Sequence, residues 1–167
     1  MSIITNFNLV NEINKVIKDL PKSSIIVYTY GAWDLLHPGH LQFLKRAKSL
    51  GNFLIVGIIS DKQIRDFKGK DRPVQNEKDR KLIISNLRMV DAVIPQENYD
   101  PSKILKELER VSILTKGDDW DYIPGQETIV DLGGELVKLG YTDGFSTSSL
   151  VSIISGKPKK SAGQFKK

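Results

Sequence analysis

Apolar residues in this chain fall into short dense runs separated by stretches with helical spacing. Residues 24–30, 53–59 and 111–115 are rich in β-branched and apolar side chains and have the length of fully buried strands, with 91–94 a shorter fourth. Between them, His40, Leu41, Phe43, Leu44, Ala47 and Leu50 recur with helical spacing and stop at Gly51. A second helix carries Leu82, Ile83 and Val90, and a third carries Ile104, Leu105 and Leu108 after Pro101-Ser102. Asn76 can cap the second of these, with Asp79 three residues on in place of the usual Glu or Gln. Gly133-Gly134 closes a short helix from about Pro124, residues 135–139 form a fifth strand, and Ser146 to Ser149 precede a final apolar turn over 150–154. The alternation predicts a doubly wound α/β fold around a parallel five-stranded sheet, with 24–155 as its domain. Residues 7–20, within an N-terminal segment 1–23, form an amphipathic helix expected to pack on the sheet.

Composition changes this picture little and narrows the setting. A chain of 167 residues with 40% apolar and 27% charged residues is the size of one globular domain. It has no cysteine, which excludes a disulfide framework and a thiolate zinc site. Neither a signal-peptide pattern nor an apolar run of the roughly 18 residues needed to cross a bilayer is present, so a soluble, cytoplasmic protein is expected. The net charge is +5, and Lys157, Lys159, Lys160, Lys166 and Lys167 account for all of it. Residues 1–155 are therefore formally neutral, and the basic tail 156–167 reads as a disordered, solvating segment in preference to a nucleic-acid or membrane contact.

The first strand runs into Tyr30-Gly31-Ala32-Trp33-Asp34-Leu35-Leu36-His37-Pro38-Gly39-His40. In a doubly wound sheet ligands bind beyond the carboxyl ends of the strands. Gly31 removes a side chain at the strand exit, Pro38 suits the first turn of a helix, and Gly39 lets backbone N–H groups approach a phosphate. The chain has two histidines, and both lie in this window, three residues apart, where they can face one side and donate to a triphosphate. Two histidines without a third ligand make a poor zinc site. A Walker A loop and a Gly-x-Gly-x-x-Gly turn are both absent, which removes the kinase-type and dinucleotide-type cradles.

With these residues in place, the chain resembles the cytidylyltransferase-like branch of the His-x-Gly-His nucleotidyltransferase superfamily over about residues 24–154. Four further blocks carry the likeness: Phe67-Lys68-Gly69 with Arg72-Pro73-Val74, Glu77 and Arg80; Leu87-Arg88-Met89-Val90-Asp91; Lys116-Gly117-Asp118-Asp119-Trp120; and Gly144-Phe145-Ser146-Thr147-Ser148. Within the branch the pattern is nearest the heptose 1-phosphate adenylyltransferase type. The Gly117-Asp118-Asp119-Trp120 block and the run from Arg88 to Pro95 resemble glycerol-3-phosphate cytidylyltransferase. Tyr141-Thr142-Asp143-Gly144 stands where the cytidylyltransferases carry Arg-Thr-Glu-Gly, which argues against CTP.

The resemblance implies transfer of a nucleoside monophosphate, from ATP in preference to CTP, to a phosphorylated sugar or polyol with release of pyrophosphate. It implies His37, His40 and Lys68 as catalytic, with Lys68 reaching the phosphates from a mobile loop. Tyr30, Gly31, Ala32, Trp33, Gly39, Arg88, Lys116, Gly117, Asp118, Ser146, Thr147 and Ser148 are the expected nucleotide contacts. Asp34, Arg72, Asp119 and Trp120 are the expected acceptor contacts. Mg²⁺ held mainly by phosphate oxygens is the expected cofactor, and a homodimer the expected assembly. Other readings are a non-catalytic nucleotide sensor, a nucleic-acid partner using the tail, and a fragment of a class I aminoacyl-tRNA synthetase, whose second lysine signature Lys157-Pro158-Lys159-Lys160-Ser161 imitates. The pair of histidines together with Lys68 favours an enzyme.

Overall fold

The structure is a computed structural model that describes residues 10–140 and 146–156. In chain order its elements are α1 (Val10–Asp19), β1 (Ile26–Gly31), α2 (Pro38–Ser49), β2 (Phe53–Ile59), α3 (Asp61–Lys68), α4 (Glu77–Ser85), β3 (Ala92–Gln96), α5 (Ser102–Glu107), β4 (Ile113–Gly117), α6 (Gln126–Asp131), β5 (Glu135–Leu139) and α7 (Thr147–Ser155). The five strands form one parallel sheet in the order β3-β2-β1-β4-β5. The chain winds outward from β1 to β3, then returns to place β4 on the other side of β1. The reversal makes β1/β4 the topological switch point, where a crevice opens at the carboxyl ends.

Period-two alternation sends the strand side chains to opposite faces. Ile26, Tyr28, Tyr30, Phe53, Ile55 and Ile59 join Ile13 and Ile17 of α1, Ile64 of α3, Leu105 of α5 and Ile129 of α6 in one core. Val27, Leu54, Val56 and Ile58 meet Leu44 and Ala47 of α2 and Ile84 of α4 in the other. Side-chain amides dock α1 as well: Asn14 donates to Glu107 O at 2.8 Å and accepts from Glu109 N at 2.7 Å.

The central pairing is short. β1 and β2 are in register over six residues, from Ile26↔Phe53 to Gly31↔Ile58, whereas β1 and β4 pair only at Val27↔Ile113 and Tyr28↔Leu114. Beyond that point two side chains span the strands: Thr29 Oγ1 donates to Thr115 O at 2.9 Å, and Lys116 Nζ donates to Tyr30 O at 2.8 Å.

Two local expectations change. Residues 61–68 are a helix, capped by Ser60, whose Oγ accepts from Gln63 N. Lys68 is thus the last residue of a helix and not part of a loop. The Asn76 cap forms, with Oδ1 accepting from Asp79 N at 3.0 Å, but the return contact from Asp79 is accepted from the Asn76 side-chain amide at 2.7 Å. Residues 1–9, 141–145 and 157–167, with the start of the amphipathic helix, Tyr141 to Phe145 and the basic tail, lie outside the described residues.

Candidate active site

A cleft lies over the switch point, between the exits of β1 and β4 and the amino-terminal ends of α2 and α7. Of the residues expected to bind or act, Tyr30, Gly31, Ala32, Trp33, Asp34, His37, Gly39, His40, Lys68, Arg72, Lys116, Gly117, Asp119, Trp120, Ser146, Thr147 and Ser148 line it, joined by Phe43 and Gly140. Phe43 sits one helical turn after His40, and Gly140 follows β5 at the same end of the sheet. The helical spacing could have pointed to Phe43.

The β1 exit is held in an unusual path. Trp33 and Leu35 have positive φ values of 54° and 49°, a region that L-residues other than Asn and Asp seldom occupy. A Cβ on Gly31 would lie 3.0 Å from the Trp33 ring, so any side chain where the chain leaves β1 would press on that indole. Trp33 Nε1 donates to Gly57 O at 3.0 Å and anchors the turn to β2. Asp34, 1% exposed, accepts from Arg72 Nε at 3.2 Å and from the backbone N–H groups of Val74 and Gln75, both at 2.9 Å. Gln75 Oε1 in turn accepts from Leu35 N at 2.9 Å. Asp34 and Arg72 were expected to meet the acceptor. The structure engages them with each other, and the pair ties the 72–75 segment onto the histidine turn. Asp34→Asn removes the charge and weakens these contacts. We expect it to cost about 1–3 kcal/mol of stability and to lower turnover, which thermal unfolding and initial rates would measure together.

His37 is the N-cap residue of α2, with no side-chain cap bond, and Pro38 occupies the first turn, so the His37 side chain leaves the first-turn N–H groups unclaimed. The two imidazoles stack, with ring centres 3.8 Å apart and planes inclined by 23°, and the Trp33 ring meets His40 edge-on at 5.5 Å. Each Nδ1 is closed off from solvent and has no hydrogen-bond partner. That leaves Nε2 as the nitrogen through which each ring can act on a ligand. Burial lowers the pKa of His37, and burial followed by His37, Lys68 and Lys116 lowers that of His40 to about 3. Both rings are therefore neutral near pH 7 and offer N–H donors that need no prior protonation.

Two lysines line the same cleft. Burial lowers the pKa of Lys68, and Arg72 lowers it further, while Asp34 and Asp119 raise it. The side chain remains exposed over more than a third of its surface, so solvent weakens all of these influences. Lys116 is 9% exposed; burial brings its pKa down to about 7, against Asp119, which raises it, and with Lys68, which lowers it.

Three expectations are corrected and a fourth is refined. Arg88 is exposed in the turn before β3, at the amino-terminal end of the sheet, opposite the cleft. Asp118 is exposed and outside the cleft lining; its N–H donates to Leu139 O at 3.0 Å. Arg80, which shares the block of Lys68 and Arg72 and would be expected near the phosphates with them, is fully buried; it donates to Ala32 O at 2.5 Å, Ile59 O at 2.8 Å, Gln75 O at 3.0 Å and Asp61 Oδ1 at 2.6 Å. Ser146 and Thr147 line the cleft but their hydroxyls are engaged: Ser146 Oγ accepts from Ser149 N at 3.0 Å as the α7 cap, and Thr147 Oγ1 donates to Asp34 O at 2.8 Å.

Residues 28–150 match the model of the Cytidylyltransferase-like family. The Bifunctional protein HldE of Wolinella succinogenes is 39% identical over 132 residues, which cover 78% of this chain and 27% of that protein. The protein of the same name from Helicobacter pylori strain P12 is 36% identical over 142 residues, covering 85% and 30%. The chain thus spans less than a third of the length of these relatives. Among solved structures, the lipopolysaccharide core biosynthesis protein from Thermoplasma volcanium GSS1 is 31% identical with a TM-score of 0.61, covering 74% of this chain and 100% of that one. Pantoate-beta-alanine ligase from Francisella tularensis, solved with beta-gamma ATP and beta-alanine, has a TM-score of 0.58 at 16% identity, covers 84% of this chain and 67% of that one, and shares the fold.

Proposed function

Because this chain belongs to the cytidylyltransferase-like family of nucleotidyltransferases, we propose that it transfers a nucleoside monophosphate from a triphosphate, ATP in preference to CTP, to a phosphorylated sugar such as heptose 1-phosphate. The observation that carries this reading is the stacked His37–His40 pair at the start of α2, neutral, with each Nε2 left to act on a ligand in the cleft. A phosphate oxygen of the acceptor attacks the α-phosphorus, the bond from that phosphorus to the bridging oxygen of the β-phosphate breaks, and pyrophosphate leaves. The nucleophile is already anionic, so no general base is required. His37 and His40 donate to the α-phosphate oxygens as negative charge builds, the α2 and α7 amino termini hold the phosphates, and Lys68 adds positive charge.

No group of three or more His, Asp or Glu side chains is placed to hold a metal among the described residues. A Mg²⁺ ion carried in by the triphosphate would be held mainly by its oxygens, with Asp119 lining the same cleft, and would neutralise phosphate charge. Among the described residues no helix is long and apolar enough to cross a membrane. A triphosphate donor fits a cytoplasmic setting, and the exposed Ile153 and Ile154 of α7, 78% and 79% accessible, fit a homodimer, which light scattering would test.

A second reading, a cytidylyltransferase acting on glycerol 3-phosphate, is favoured by Gly117-Asp118-Asp119-Trp120. Pyrophosphate release from ATP, CTP, GTP and UTP with heptose 1-phosphate or glycerol 3-phosphate and Mg²⁺ separates the two. The highest kcat/KM is expected for ATP with heptose 1-phosphate; a preference for CTP would establish the second reading, and release with no acceptor would end both.

A further inference from the structure

Lys116 carries its ammonium into the interior at the carboxyl end of β4. Nζ lies 4.3 Å from the centre of the Tyr30 ring and 4.9 Å from that of Trp120, and one of its three N–H donors goes to Tyr30 O. Among the described residues no salt bridge joins it to a carboxylate within 4.0 Å. A buried amine with spare donors that lines a cleft is held in its charged form by an anion bound beside it, and so favours an anion there.

The triphosphate has its own partners in the histidine pair and the amino termini of α2 and α7. Lys116 belongs to neither helix. It stands instead beside Trp120, whose ring lies nearly parallel to Phe67, with centres 6.5 Å apart and planes 11° apart; Phe67 immediately precedes Lys68 at the end of α3. An aromatic face next to two lysines matches the C–H face and the phosphate of a phosphorylated sugar.

We propose that Lys116, with Trp120 as the adjoining wall, seats the phosphate of the acceptor sugar and not the triphosphate donor. The assignment rests on the nucleotidyl-transfer reading above and replaces the nucleotide contact expected of Lys116 from the sequence. Two phosphate oxygens on Lys116 and Lys68 leave the third free to attack the α-phosphorus, and Lys116 gives up no proton in the step.

The test is Lys116→Met in the full chain, which removes the charge and keeps the apolar stem. With heptose 1-phosphate varied at saturating ATP, KM for the sugar phosphate is expected to rise about tenfold or more. Affinity for a non-hydrolysable ATP analogue, measured by calorimetry, is expected to stay within about twofold. Trp120→Leu, which keeps the charge, should also raise KM for the sugar phosphate with little effect on the analogue. An unchanged KM for the sugar phosphate overturns the proposal, as does a loss of analogue affinity equal to the loss for the acceptor. Calorimetric titration of inorganic phosphate into the analogue-saturated protein reads the subsite without turnover, so it separates this proposal from the reaction itself. Binding in the parent that weakens in the variant supports the subsite, and absent or equal binding overturns it. Lys116→Gln, which retains a donor toward Tyr30 O, serves if the methionine variant does not fold.

Discussion

Replacing His40 with alanine is expected to lower kcat about 10²–10³-fold while leaving nucleotide affinity within a few-fold. A preorganised donor aimed at charge that develops during the reaction has this magnitude and acts on the transition state more than on the bound substrate. His40 qualifies because its ring is fixed between His37 and Trp33 and its Nδ1 is closed off. Single-turnover pyrophosphate release would measure the effect, and unchanged turnover would remove the central claim. The same variant has a second signature in stability. The folded His40 pKa is about 3, below the roughly 6.5 of an unfolded histidine, so between those values the unfolded chain binds more protons. Stability is therefore complete above about pH 6.5 and falls as pH drops toward 3. His40→Ala removes this contribution, and its unfolding temperature should decline less steeply from pH 6.5 to pH 4 than that of the parent.

Arg80→Met is expected to be the most destabilising single change, by about 3–5 kcal/mol, or on the order of 10 °C in a chain of this size. The guanidinium joins the β1 exit at Ala32, the β2 exit at Ile59, the start of α3 at Asp61 and the 72–75 segment at Gln75. Methionine fills similar volume but leaves three carbonyls, that of Ile59 fully buried, and one carboxylate without that donor. Arg80→Lys should recover little, since one ammonium cannot reach in the four directions that a planar guanidinium serves. Thermal unfolding followed by circular dichroism would measure both. A loss below about 1 kcal/mol would show that water replaces the guanidinium at those acceptors.

The contrast between these two residues explains what was legible in the sequence. Strands β1 to β4 were readable because parallel strands buried on both faces are apolar runs, whereas the edge strand β5, Glu135–Leu139, carries two charges and was placed by the Gly133-Gly134 stop before it. The histidine turn was readable because its residue types have few other reasons to cluster at a strand exit. α3 was not, because Asp61-Lys62-Gln63-Ile64-Arg65-Asp66-Phe67-Lys68 offers only Ile64 and Phe67 as apolar positions, too few to show a period. Arg80 and Asp34 escaped for a related reason. A charged residue reads as solvated or functional, and nothing local reveals that its partners include backbone groups 21 to 48 positions away. Arg88 was misplaced by the same limit: its motif can be recognised in the sequence, but which end of the sheet it occupies depends on the path of the folded chain.

The brief pairing of β1 with β4 has a mechanical consequence. Past Tyr28 and Leu114, Thr29 and Lys116 join the two strands through side-chain bonds to backbone carbonyls. The joint that faces the ligand is thus compliant, since rotation of a lysine side chain can widen the crevice without breaking a backbone hydrogen bond. The six-residue β1–β2 register behind it stays rigid.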